Sequence, residues 1–94
     1  MSKYTKSAKG QECQVRIPNI CNHNPETVVF AHLNGYAMGK KHLDIHGAYC
    51  CSDCHDAVDG RIKTYLNKQI RDLYLLEGVI RTQQIMVKEG VLEI

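Results

Sequence analysis

The sequence predicts a small α+β domain in which two short strands and a short helix carry a long C-terminal helix packed on them. Three observations predict it. Val28-Val-Phe-Ala-His-Leu33 is the most apolar β-prone run of the chain, and it closes on an Asn34-Gly35 turn signal. Residues 44–49 can return as a second short strand, just before a Cys51-x2-Cys54 pair. From Lys63 to Lys88 apolar residues recur at three- to four-residue steps, the period of one helix face. At 94 residues the chain has room for a single domain, 1–94.

The elements follow in order. Residues 1–10 are polar and basic, with Lys3, Lys6 and Lys9 among serine and threonine. They read as a solvated terminus, with a basic arm on phosphate backbone as the alternative. Residues 11–60 form the core unit. Within it Cys13, Val15 and Ile17 alternate with Gln14 and Arg16, the period of a half-buried strand, and Pro18-Asn19 ends it in a turn. Residues 34–44, with Gly35, Gly39, Lys40, Lys41 and His42, read as a basic loop. Ser52 or Asp53 is the expected cap of a short helix that Gly60 stops. Residues 61–94 form the C-terminal helical part. Leu66, Ile70, Leu73, Leu76 and Ile80 are its expected core-facing stripe, with Leu75 and Val79 beside it, the pair that would face a partner if the chain is instead a structural component of a phage complex. Gly78 is placed to bend or split this helix and Gly90 to end it.

Composition excludes several classes. No apolar run approaches the ~20 residues that span a bilayer, and residues 1–10 lack the apolar stretch of an export signal. The expectation is a cytoplasmic protein with no membrane role. The formal net charge of +2 leans only slightly toward a polyanion partner.

Thiols and imidazoles are over-represented, with five Cys and five His. A core this small needs a staple, and in a reducing compartment a metal is the better one. Cys51 and Cys54 form a chelating pair, and the Pro18-Asn19 turn brings Cys13 and Cys21 together. Four thiolates make a closed tetrahedral zinc site. Cys50, next to Cys51, is expected to point to the other side of its strand as a small core residue, with a ligand role as the alternative.

The histidines suggest a second site. The order is a strand with His32, a loop, a strand with His46, the Cys pair, then a helix with His55. A ββα-metal hairpin needs this order, because one face then gathers a base, an orienting group and a helix-borne ligand.

The residues also carry a resemblance. Ala31-His32, then His46 ahead of Cys51-Ser-Asp-Cys54-His55-Asp56, look like the HNH endonuclease signature with a zinc-stapled knuckle. More closely, Gly10-Gln-Glu-Cys13-Gln-Val-Arg-Ile-Pro18, Cys21-Asn, Asn24-Pro-Glu-Thr27 and Cys51-Ser-x-Cys-His-Asp56 resemble a family of small prophage-encoded nucleases, the YbcO type. Leu76-Glu-Gly-x-x-Arg81-Thr-Gln83 and Lys88-Glu-Gly-Val91 extend the likeness over nearly the whole chain. The resemblance implies an HNH-like, zinc-stapled ββα-metal unit and a metal-dependent endonuclease acting on DNA in phage or prophage DNA processing. His32 takes the general-base position, His46 the central position and His55 the metal position on the helix. Many HNH proteins carry Asp or His just before the base, where this chain has Ala31, so either His32 is itself a ligand of a catalytic Mg2+ or Mn2+ or Asp44, with His42 and His23 as alternatives, supplies the missing one.

Cleaving a phosphodiester takes an activated water, charge stabilisation at phosphorus and help for the leaving oxygen. A neutral imidazole near pH 7 suits the first and a divalent ion the other two. Lys40, Lys41, Arg61 and Lys63 flank the site in sequence and are expected to hold the backbone of DNA without reading bases. The alternative is a non-catalytic zinc module that binds nucleic acid or a phage recombination or replication protein.

Overall fold

A computed structural model describes residues 3–32 and 44–92. Its elements are α1 (Lys3–Ser7), β1 (Val29–His32), β2 (Gly47–Cys50), α2 (Ser52–Val58) and α3 (Lys68–Lys88), with 3-10 turns at Pro25–Thr27 and Asp44–His46. The strands pair antiparallel, with Val29 opposite Cys50 and His32 opposite Gly47. The α+β class and the long C-terminal helix are as expected.

Residues 3–7 form a helix where a solvated terminus was expected. A five-residue helix is unstable alone, so tertiary contacts hold it. Ala8 is buried, and the Ser7 hydroxyl lies 2.7 Å from the hydroxyl of Tyr49, which is wholly buried. Burial raises the Tyr49 pKa above the usual phenol range, so the group stays neutral.

Residues 13–17 bury Cys13, Val15 and Ile17 as their alternation predicts, yet they form no strand. Gln14 is buried too, and Arg16 takes a positive φ of 54°, which breaks the extended run. One backbone bond remains, from Gln14 N–H to Tyr49 C=O at 2.7 Å. The thiols explain the break, because the turn at Arg16 points its N–H at Cys13 Sγ, 3.5 Å away.

The β2 strand is buried at all four positions. Gly47 is obligatory there, because a Cβ would fall 2.2 Å from the Phe30 ring. The outer edge of Tyr49 is satisfied by Gln14 on one side and by Thr82, whose Oγ1 accepts the Tyr49 N–H at 2.9 Å, on the other.

Asn67 caps α3 with its side chain on the Ile70 N–H at 2.9 Å. Its C-terminus is a Schellman motif. Gly90 sits at φ 77°, its N–H bonds Val87 C=O, and the Val91 N–H bonds Met86 C=O at 2.8 Å. The buried face of α3 is Leu75, Gly78, Val79, Thr82 and Met86. This corrects the expected stripe: Ile70, Leu73, Leu76 and Ile80 are exposed, Leu73 by 55%, and Leu66 is half-buried. Leu75 and Val79, which would face a partner if the chain were a structural component of a phage complex, face the core instead. Nor does Gly78 split the helix. It lets α3 approach the sheet, since a Cβ there would lie 2.8 Å from Val15 Cγ2 and 3.3 Å from Ala48 Cβ.

Candidate functional site

The sulfurs of Cys13, Cys21, Cys51 and Cys54 all lie within 4.8 Å of one another. Among the described residues, this is the one group of three or more His, Cys, Asp or Glu close enough to share an ion. A tetrahedral zinc with bonds of about 2.3 Å sets its sulfurs about 3.8 Å apart. The Cys21 and Cys51 sulfurs are 3.8 Å apart.

The hydrogen bonding fits an ion as well as the spacing does. Two sulfurs accept a backbone N–H, Cys13 from Arg16 at 3.5 Å and Cys51 from Cys54 at 3.4 Å, and backbone groups of Cys51, His23 and Ile17 act to lower the pKa of Cys13, Cys21 and Cys54. Such donors favour the thiolate. The expected cap at Ser52 or Asp53 is in fact Cys51, whose Sγ takes the Cys54 N–H at 3.4 Å while Ser52 opens α2. One sulfur therefore both caps the helix and joins the cluster.

The clustered thiols are electrostatically uneven. Hydrogen bonds from the Cys50 and Cys54 thiols hold Cys13 far below the ordinary thiol range. The same bond to Cys13 pushes Cys54 up, and burial pushes Cys21 up to about 11. Cys50 is wholly buried, as a core residue should be, but its side chain lies on the side of Cys13 and Cys54, whose proximity raises its pKa, instead of pointing away from them. His23, at φ 55°, places Nδ1 3.7 Å from Cys21 Sγ on the exposed rim of the cluster.

The histidines are arranged differently. His32 ends β1, half-buried, with its ring edge-on to Phe30 at 5.2 Å between centroids. His46 closes the turn before β2, next to Gly47, which pairs with His32. The register thus puts both at one end of the sheet. His55 lies on α2, with Nε2 3.2 Å from Asp59 Oδ2. Sequence reasoning missed Asp59, although its i,i+4 spacing from His55 was legible on a helix starting at the Cys pair.

Arg61 bridges carboxylates, reaching Asp59 at 3.3 Å and Asp56 at 3.4 Å, and Lys63 is exposed. Ala31 is buried in the core. Lys40, Lys41 and His42 lie outside the described residues, as does the side chain of Asp44. No helix among the described residues is long and apolar enough to cross a membrane.

Comparison with known proteins adds to this geometry. Residues 2–91 match the family model described as "Putative nuclease YbcO". The chain is 43% identical over 96 residues to proteins of that description from Escherichia coli strain K12 and from Enterobacteria phage 82, covering 99% of each chain. It is similar to a solved structure described as a "putative bacteriophage protein" from E. coli K-12 MG1655, with a TM-score of 0.79, 44% identity, and 93% of this chain and 99% of that one covered.

Proposed function

Because the chain belongs to the family described as "Putative nuclease YbcO", we propose that it is a metal-dependent, HNH-type endonuclease that hydrolyses DNA phosphodiester bonds in phage or prophage DNA processing. The observation that supports this most is the placement of its histidines. His32 and His46 share one end of the β1–β2 pair, and His55 rises from the helix whose first turn is part of the thiol cluster.

The roles follow from chemistry. His32 takes a proton from a water as the water oxygen attacks phosphorus. The bond from phosphorus to the 3′-oxygen breaks, and that oxygen leaves with the electron pair. His46 orients the base or the phosphate. His55, with the Asp59 carboxylate beside it, and Asp44 are the residues that would hold a Mg2+ or Mn2+. One or two protein ligands suffice for such an ion, because water and phosphate complete its shell. When bound, it neutralises charge on the scissile phosphate and the leaving oxygen. Cys13, Cys21, Cys51 and Cys54 would hold a structural zinc. Lys40, Lys41 and Lys63 would hold backbone phosphates, whereas Arg61 is engaged with Asp56 and Asp59 and would first have to leave them.

A second reading, a zinc module that binds nucleic acid or a phage recombination or replication partner without cutting, draws on the buried Ala31 and on the thiols being the one ion-sized cluster among the described residues. A nicking assay on plasmid, branched and single-stranded DNA with Mg2+ or Mn2+ separates the two. His32→Ala should keep zinc and fold while cleavage drops at least ~100-fold. His55→Ala should raise the metal concentration needed, with partial rescue at high metal. If the wild type cuts no nucleic acid with any divalent ion, the second reading stands. Equal cutting by His32→Ala would remove His32 from the site.

A further inference from the structure

We propose that the groove between α1 and β1 is a binding track for a nucleic-acid strand, with Lys6 and Lys9 holding phosphates next to the one positioned at His32. The assignment of His32 as the cutting end rests on the nuclease reading; the track itself does not.

The first observation is that α1 is fixed. It packs on β1 and on the Asp44–His46 turn, and the Ser7–Tyr49 bond and buried Ala8 lock its far end. Lysines on a frayed terminus would lose entropy on gripping a ligand. These sit on ordered backbone.

The second is charge. Lys3, Lys6 and Lys9 recur every third residue, all exposed. Lys3 lies over the Tyr4 ring at 5.4 Å. Among the described residues no carboxylate is within ion-pair distance of Lys6 or Lys9. Elsewhere the exposed cations Arg61 and Lys68 are paired. An unneutralised pair of ammonium groups favours an anion.

The third is shape. A groove of about 430 Å3 runs between Lys6 and Lys9 on one wall and Val28, Val29 and Phe30 on the other. A chain of alternating anionic and apolar parts fits it, phosphates toward the lysines and sugar or base edges toward Val29, which is 43% exposed. The groove also leads toward the histidines, because Phe30, one of its lining residues, carries a ring 5.2 Å from the His32 ring.

The test is equilibrium binding of fluorescent 20-nucleotide single strands and 20-base-pair duplexes to zinc-loaded protein, without Mg2+ or Mn2+, across a salt series. The double variant Lys6→Gln/Lys9→Gln should bind more weakly at low salt. Its slope of log affinity against log salt should fall by about 1.4 on single strands or about 1.8 on duplex, the value for two lost phosphate contacts. Lys6→Arg/Lys9→Arg should keep the slope, and so should Lys68→Gln, which removes a paired lysine on α3. Zinc content and thermal midpoint verify folding, and if the double variant is unstable the single changes are read separately for about half the slope each. An unchanged slope and affinity on both DNAs in a folded variant would overturn the track, as would a wild type that binds neither. A wild type that cuts while the variant's slope is unchanged sinks the track and leaves the nuclease. A wild type that binds with the expected slope loss and never cuts does the reverse.

Discussion

A methyl group added at position 78 would meet Val15 and Ala48 across the helix–sheet contact. Helix propensity alone favours alanine there by about 1 kcal/mol. Overpacking a buried contact costs about 1–3 kcal/mol. Gly78→Ala should therefore destabilise the protein by up to about 2 kcal/mol, against propensity, in a denaturant titration; a stabilised variant would show that the approach of α3 is loose. The cysteines make the opposite point, since each is replaceable in volume but not in chemistry. Cys54→Ser should lose the zinc, expected at about one per chain, and unfold, and zinc analysis beside circular dichroism would show it. A metal-free protein that melts cooperatively and ignores chelators would refute the zinc staple. The four clustered thiols were legible because each pair flanks a turn that spacing alone reveals. His23 and the inward side of Cys50 were not, because they depend on a positive φ and on how a strand end packs. Asp59 was legible in spacing, yet nothing in the sequence says that a carboxylate one helical turn on will meet an imidazole instead of solvent.

At the scale of elements, α3 shows why a periodic pattern can be read correctly and aimed wrongly. Two apolar stripes run along it. Ile70, Leu73, Leu76 and Ile80 repeat at three- to four-residue steps, and so do Leu75, Val79, Thr82 and Met86 on the opposite side. Period fixes that a helix forms, not which of two faces is buried. The choice is made by small groups: Gly78 permits close approach, and the Thr82 hydroxyl satisfies a strand N–H that a larger apolar side chain would leave unpaired. Leu75→Ala should thus cost about 2–4 kcal/mol, as a buried large-to-small change. Leu73→Ala should cost under about 0.5 kcal/mol. The reverse order in chemical denaturation would mean that the exposed stripe is covered in solution. The strand expected at 13–17 failed for a related reason, because alternation reports burial, and a thiol-bearing turn can bury alternate residues without a ladder.

At the scale of the molecule, the core is held from several distant points in sequence: Ser7 on Tyr49, Gln14 and Thr82 on the same strand, and four thiols spread from residue 13 to residue 54. The thiol cluster has a kinetic consequence. Cys21 and Cys51 are 30 residues apart, so bringing the two pairs together costs loop-closure entropy of about 3 kcal/mol beyond a constant. Each pair alone is local and can capture an ion in the unfolded chain long before the halves meet. One ion per chain would then guide folding, since a half-coordinated zinc would gain by finding the other pair. Two ions per chain should trap it, because both pairs are occupied and one ion has to leave before the native cluster can close. Refolding from the reduced, unfolded state should accordingly be fastest near one equivalent of zinc and slow down in excess, a dependence that stopped-flow tyrosine fluorescence, to which the buried Tyr49 contributes, can follow.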